Sequence, residues 1–428
     1  MVRVAVLLVA LLAAHSASAL LVPSQRVLDM VANMTLEEKA GQMVQVNINQ
    51  IMQLGDRMVV DKEKVRDMAR NYRVGSYLNS PTSSGGPPLT PAEFLGIVND
   101  IQTIYLEEGL PPIVYGIDSV HGAHYVAGAT LFPQQINAAA SLNRDLTTQM
   151  GHITAKDTRA VGIPWTFAPI LDLMTQPVWA RVYEGFGEDP HVASELGIAI
   201  THGYQGFPAD ISNATRVAAC MKHFIGYGNS RTGQDRTTSW IPERQLLQYY
   251  VPPFQAVIDA GIATAMESYN DINGDPVVGS ERYLRRLLRD EMGFEGMLVT
   301  DWREIKNLHD WHNAATSSYD AARIVLQRTS VDMSMTPSDT DFFDEVVDLV
   351  RAGTIEEARI DESAVRVLAL KESLGLLDNP LPDLESPYIE TIGSEEDRAV
   401  ALELARESIV LLENEYAVEN ERKRKRKH

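Results

Sequence analysis

Eight short apolar runs, each ending in polar residues and most separated by a helical pattern, constrain the fold of this chain more than any other feature. They are Gly41–Val46, Tyr72–Leu78, Ile113–Ile117, Trp165–Ile170, Arg216–His223, Ile262–Tyr269, Met297–Asp301 and Ser330–Met335. Helical spacing fills the intervals, as in Pro91–Glu108, Arg144–Val161, Asp189–Tyr204, Ile241–Ala260 and Ser280–Met292. Runs apolar at consecutive positions suit strands buried on both faces, as in a parallel sheet. Strand and helix alternating eight times predicts an α/β fold, a (β/α)8 barrel of the TIM type. The polar stretches follow the strands, among them NSPTSSGGPPL, DSVHGAHY and IGYGNSRTGQDRTTS. Loops that long in a compact domain usually carry function.

The stretch GFEGMLVTDW (293–302) is the sharpest example. A glycine-rich turn leads into Met297-Leu298-Val299, and the run ends in Asp301-Trp302, a carboxylate followed by an aromatic plane. A barrel places its chemistry at such a strand end, whereas a lone Asp there more often caps the next helix. The other strand ends carry charge as well: Asp118, Asp172, Lys222-His223 and Glu267-Ser268-Tyr269, with Arg181 and Glu184 in the loop after the fourth strand. Each has a plain structural reading. Arg181 and Glu184, three apart, can pair with each other, and Lys222-His223 can pair with Asp172 or Glu184. Asp189-Pro190 reads as a helix start. Jointly, five charged strand ends on one rim are costly to bury unless a ligand uses them.

Length and charge bound the remainder. The chain has 428 residues, which fits a large barrel and a small addition, and a net charge of −20 that disfavours nucleic acid or an anionic membrane as partner. Residues 1–19 read as a secretory signal: Arg3, an apolar core, then Ala17-Ser18-Ala19. No later run reaches the ~20 apolar residues of a membrane span. The single cysteine, Cys220, permits no internal disulfide. Asn33 and Asn213 head glycosylation triplets. The expected destination is outside the cell or the lysosome or vacuole.

The expected organisation is a signal peptide (1–19), a barrel (20–378), a Pro- and acid-rich linker (379–394), the start of a truncated α/β sandwich domain (395–414) and an irregular basic tail (415–428). Ser408 to Leu412 reads as the first strand of that second domain. The six consecutive Lys/Arg residues from Arg422 read as the mark of a reading frame ending early.

In order along the chain, GIDSVHG (116–122), FAPILDL (167–173), RVYEGFGEDP (181–190), MKHFIGYG (221–228), MESYNDINGDP (266–276), GFEGMLVTDW and ARESIVLLEN (405–414) resemble glycoside hydrolase family 3, the β-glucosidase-type retaining exo-hydrolases. The resemblance implies that Asp301 is the catalytic nucleophile. It implies that Asp118, Arg181, Lys222, His223 and Tyr269 bind the terminal sugar and that Trp302 stacks beside the nucleophile. No metal or organic cofactor is implied; the implied partner is a β-glucoside or β-glucan end. Lys222 and Arg181 are expected to keep Asp301 ionised. A retaining mechanism also needs an acid/base carboxyl, which the family supplies from a second domain or from an Asp-His pair after KHF; neither is visible here. Glu184, Asp235, Glu267 and Glu304 are the stand-ins. The alternatives are a catalytically impaired glycan binder and, within the family, a β-xylosidase or N-acetylhexosaminidase. Oligomeric state is not legible.

Overall fold

Each of the eight apolar runs holds all or most of a strand that pairs with neighbours in a computed structural model that describes residues 20–54, 58–82 and 86–414. The strands are β1 (Val44–Asn47), β2 (Ser76–Leu78), β3 (Val114–Ile117), β4 (Trp165–Thr166), β5 (Cys220–Phe224), β6 (Thr264–Glu267), β7 (Met297–Val299) and β8 (Ser334–Met335). One sheet has the order β8-β1-β2-β3-β4 and a second β7-β6-β5, with every pairing parallel. Parallel bridges join residues flanking the two sheets: Trp165 with Ala218 and Ile170 with Lys222 on one side, Val299 with Met333 on the other. All residues of these eight strands are buried, which is why their sequences are apolar without alternation. The protein is an α/β fold built on parallel sheets.

The strands are shorter than their apolar runs. Gly41 and Gln42 belong to the helix Leu36–Gln42, whose start is a reciprocal box: Thr35 Oγ1 accepts from the Glu38 amide, and the Glu38 carboxylate accepts from the Thr35 amide. The regular ladder of β4 stops at Thr166, short of Pro169, which has no amide to donate. Asp189 caps the helix Pro190–Gln205 through the amides of His191 and Val192, with Pro190 at the first turn.

Apolar side chains between strands and helices form the larger core. A second cluster gathers Trp165, Phe167, Cys220, Met266, Met297 and Met333 from both sheets. Within it the Trp165 indole donates to Thr264 Oγ1 at 2.8 Å, tying β4 to β6.

The segment expected to begin a second domain lies on this body. The helix Glu395–Glu407 packs on Gln135–Ser141 and Arg144–Ala160, with Leu404 fully buried and Asp397 paired to Lys156 at 2.9 Å. The strand expected from Ser408 is absent. Ile409 and Leu412 are 79% and 92% exposed, and no strand among the described residues pairs with them. Asn33 and Asn213 are both exposed, Asn33 at the end of the helix Gln25–Asn33. No helix among the described residues is long and apolar enough to cross a membrane. The expected signal segment 1–19 and the tail 415–428 lie outside the described residues.

Candidate active site

Asp301 follows β7 directly and heads no helix with its side chain. The helix Glu304–Asp310 begins beyond Arg303, which holds a left-handed φ of 62°. The Asp301 carboxylate turns instead to the strand ends. Its Oδ1 accepts from the Tyr269 hydroxyl and from the Trp302 amide, each at 2.6 Å, and its Oδ2 lies 3.4 Å from His223 Nε2. Behind it the Asp301 amide donates to Glu267 Oε1 at 2.9 Å.

Lys222 and His223 are successive residues of β5, and alternation in a regular strand would send them to opposite faces. The register against β6 slips between Met221 and Phe224, and both side chains reach one cavity. Lys222 Nζ pairs with Asp118 Oδ1 at 2.5 Å, linking β5 to the end of β3. His223 Nδ1 lies 2.7 Å from Asp172 Oδ2, and its Nε2 faces the Arg181 guanidinium at 3.3 Å. Burial, helped by the charges of Arg181 and Lys222, pushes the His223 pKa well below its usual value. The imidazole is therefore neutral, with Nδ1–H donated to Asp172 and Nε2 accepting from Arg181. Burial also pushes Asp172 up, to about 8, against the opposing charge of Arg181 and the His223 amide.

Arg181 and Glu184 do pair, through the Nε–Nη2 edge of the guanidinium at 2.7–3.0 Å. Even so, both line the cavity. Its volume is about 490 Å³, and all seven residues expected at the site border it: Asp118, Arg181, Lys222, His223, Tyr269, Asp301 and Trp302. As expected, Lys222 and Arg181 favour the ionised form of Asp301, but they act against burial. Burial raises its pKa, and the two cations with the Tyr269 and Trp302 donors only oppose that rise.

The four candidate acids fare differently. Glu267 and Glu304 do not border the cavity. Both are buried behind Asp301 with raised pKa values, burial being the first cause, and Glu304 is held by His312 and Asn307. Asp235 also lies off the cavity, accepting from Tyr227 at 2.5 Å and Trp179 at 3.3 Å. Glu184 alone reaches it, and Arg181 occupies its carboxylate.

Sequence reasoning missed Arg236, which borders the cavity with its guanidinium 3.9 Å from the centre of the Tyr269 ring. It also missed His121 and His124, whose rings stack 5.0 Å apart along another wall. The loop DSVHGAHY held the signal for the histidines, two imidazoles three residues apart just beyond Asp118. Among the described residues no group of His, Cys, Asp or Glu is arranged to hold a metal.

A carboxylate, paired cations and aromatic rings around a cavity at parallel strand ends make a site shaped for a neutral ligand rich in hydroxyls. The family description "Glycosyl hydrolase family 3 N terminal domain" matches residues 35–370, and the chain belongs to that family. It is 42% identical over 398 residues to the lysosomal beta glucosidase of Dictyostelium discoideum, covering 90% of this chain and 48% of that protein. The periplasmic beta-glucosidase of Salmonella typhimurium is 32% identical over 393 residues, covering 91% and 48%. Among solved structures, the beta-glucosidase from Listeria innocua in complex with glucose superposes with a TM-score of 0.80 at 31% identity, over 92% of this chain and 52% of that one. The chain spans about half the length of the curated relatives it matches.

Proposed function

We propose that the chain carries the sugar-binding and nucleophilic part of an exo-acting retaining β-glucosidase. Asp301 is the nucleophile that forms a covalent glycosyl intermediate with a terminal β-D-glucosyl unit. Asp118, Lys222, Arg181 and His223 hold the hydroxyls, and Trp302 lies against the ring. We further propose that the two parallel sheets are arcs of one closed (β/α)8 barrel, a reading supported by the bridges on both sides. The observation that carries the function is the convergence of Asp301 with the Asp118–Lys222 pair in one cavity.

Ionised Asp301 attacks the anomeric carbon while Tyr269 and the Trp302 amide fix the orientation of its carboxylate. Hydrolysis of a poor leaving group needs a second carboxyl group about 5–5.5 Å from the first. In the cavity Asp118 and Glu184 are each engaged by a cation, so neither is free to give a proton. That occupancy also favours a second reading, a glycan binder with little turnover. A series of aryl β-glucosides separates the two. The enzyme reading requires a product burst with good leaving groups, followed by a slow phase that azide accelerates. No burst with any leaving group, while glucose still binds, leaves the binder.

A further inference from the structure

The residues that line the cavity differ in exposure. Asp301 and the side chains of Lys222 and His223 are buried. Two other side chains border the cavity while still facing solvent: Tyr183, 47% exposed, and Arg236, whose side chain is 41% exposed. For a terminal sugar seated against Asp301, these exposed lining residues are the ones in reach of the rest of its chain.

Arg236 is unusual in three respects. Its guanidinium makes no hydrogen bond among the described residues, and its nearest carboxylate, Asp235, is 3.8 Å away. An arginine has five N–H donors, and half-buried ones are ordinarily spent on protein acceptors. Its backbone has φ of 58°, a left-handed conformation that costs any residue with a Cβ free energy and is uncommon outside glycine. Its neighbour is Trp311, whose indole N–H donates to the Arg236 carbonyl at 3.0 Å although the ring is 55% exposed. An exposed indole that spends its one donor on a strained loop fixes where that loop's side chain points.

We propose that Arg236 is the acceptor-side contact of the cavity. Stacked on Tyr269, it offers its free donors to the hydroxyls of the second sugar ring of a β-linked glucan, and Trp311 is the positioning residue that holds it there. This rests on the exo-acting reading above.

The test measures binding of glucose and of the disaccharides laminaribiose and cellobiose by calorimetry in an Asp301→Asn background, which leaves the disaccharides intact. The background protein is expected to bind at least one disaccharide more tightly than glucose. Adding Arg236→Ala should remove about tenfold of that advantage, the value of a charged hydrogen bond, and leave glucose affinity within about twofold. Trp311→Ala should reproduce the loss, and Trp311→Phe, which lacks only the N–H, should do so in part. Trp311 is exposed, so its replacement leaves the core intact. Equal weakening of glucose and disaccharide by Arg236→Ala would overturn the proposal and assign Arg236 a role through Tyr269 alone. So would glucose binding with no gain from a second ring. Failure to bind glucose at all would instead overturn the reading of the site on which it rests.

Discussion

The Tyr269 hydroxyl donates to Asp301 Oδ1 across 2.6 Å, joining the end of β6 to the end of β7. This bond lowers the pKa of a carboxylate that burial raises. Attack needs the ionised form, so activity is lost as pH falls through that pKa. Tyr269→Phe removes a stabiliser of the anion and moves the acidic limb to higher pH. The burst rate with a good leaving group should fall roughly 10- to 100-fold at neutral pH. Rates of the burst measured against pH check both, and an unmoved limb contradicts the role.

The Asp118–Lys222 pair is lopsided: the lysine side chain is 5% exposed and the aspartate 33%. Asp118→Asn leaves a buried cation without its partner, whereas Lys222→Met leaves a carboxylate that water can reach. The first should therefore cost more stability than the second, by roughly 2 kcal/mol after allowing for solvent at Asp118. Urea midpoints of the two variants test the asymmetry, and equal losses would refute it.

Lys371 is fully buried, with Nζ 2.5 Å from Gln42 Oε1, and burial pushes its pKa down to about 7. The unfolded chain then holds a proton there that the folded chain has released, between about pH 7 and the ordinary lysine value. Stability from this group therefore rises with pH across that window and is lost as pH falls toward 7. Lys371→Met should raise the Tm at pH 7 and flatten the rise toward pH 9.5. Melts of both proteins at the two pH values decide it; parallel curves would contradict the assignment.

Ile409 and Leu412 bury almost nothing in this chain. Replacing both by Lys should leave the Tm unchanged and reduce self-association seen by light scattering, because a contiguous apolar run no longer faces water. A lower Tm would mean that these side chains are covered in solution.

The positions of all eight strands were legible because each is an apolar run closed by polar residues. Their ends were not: Gly41 and Gln42 could join helix or strand, and the capping box at Thr35 decided for the helix. The lining of the cavity was legible where a charged residue sits at a strand end, as with Asp118, Lys222 and Asp301. Arg236 was invisible because a loop residue is placed by contacts from far along the chain, here Tyr269 and Trp311. The run Ser408–Leu412 shows the converse. Its β-prone composition was read correctly as apolar, but a strand exists only where a neighbour supplies the ladder. For Asp301 the two favouring cations were legible and the opposing burial was not, because charge is written in the sequence and burial is not.

The most direct test of the central claim is covalent labelling with a 2-deoxy-2-fluoro-β-glucoside bearing a good leaving group, followed by peptide mass mapping. One added sugar is expected, carried by Asp301, and none in Asp301→Asn. A label on Asp118 or Glu184, or no label while the unmodified protein binds glucose, would contradict it.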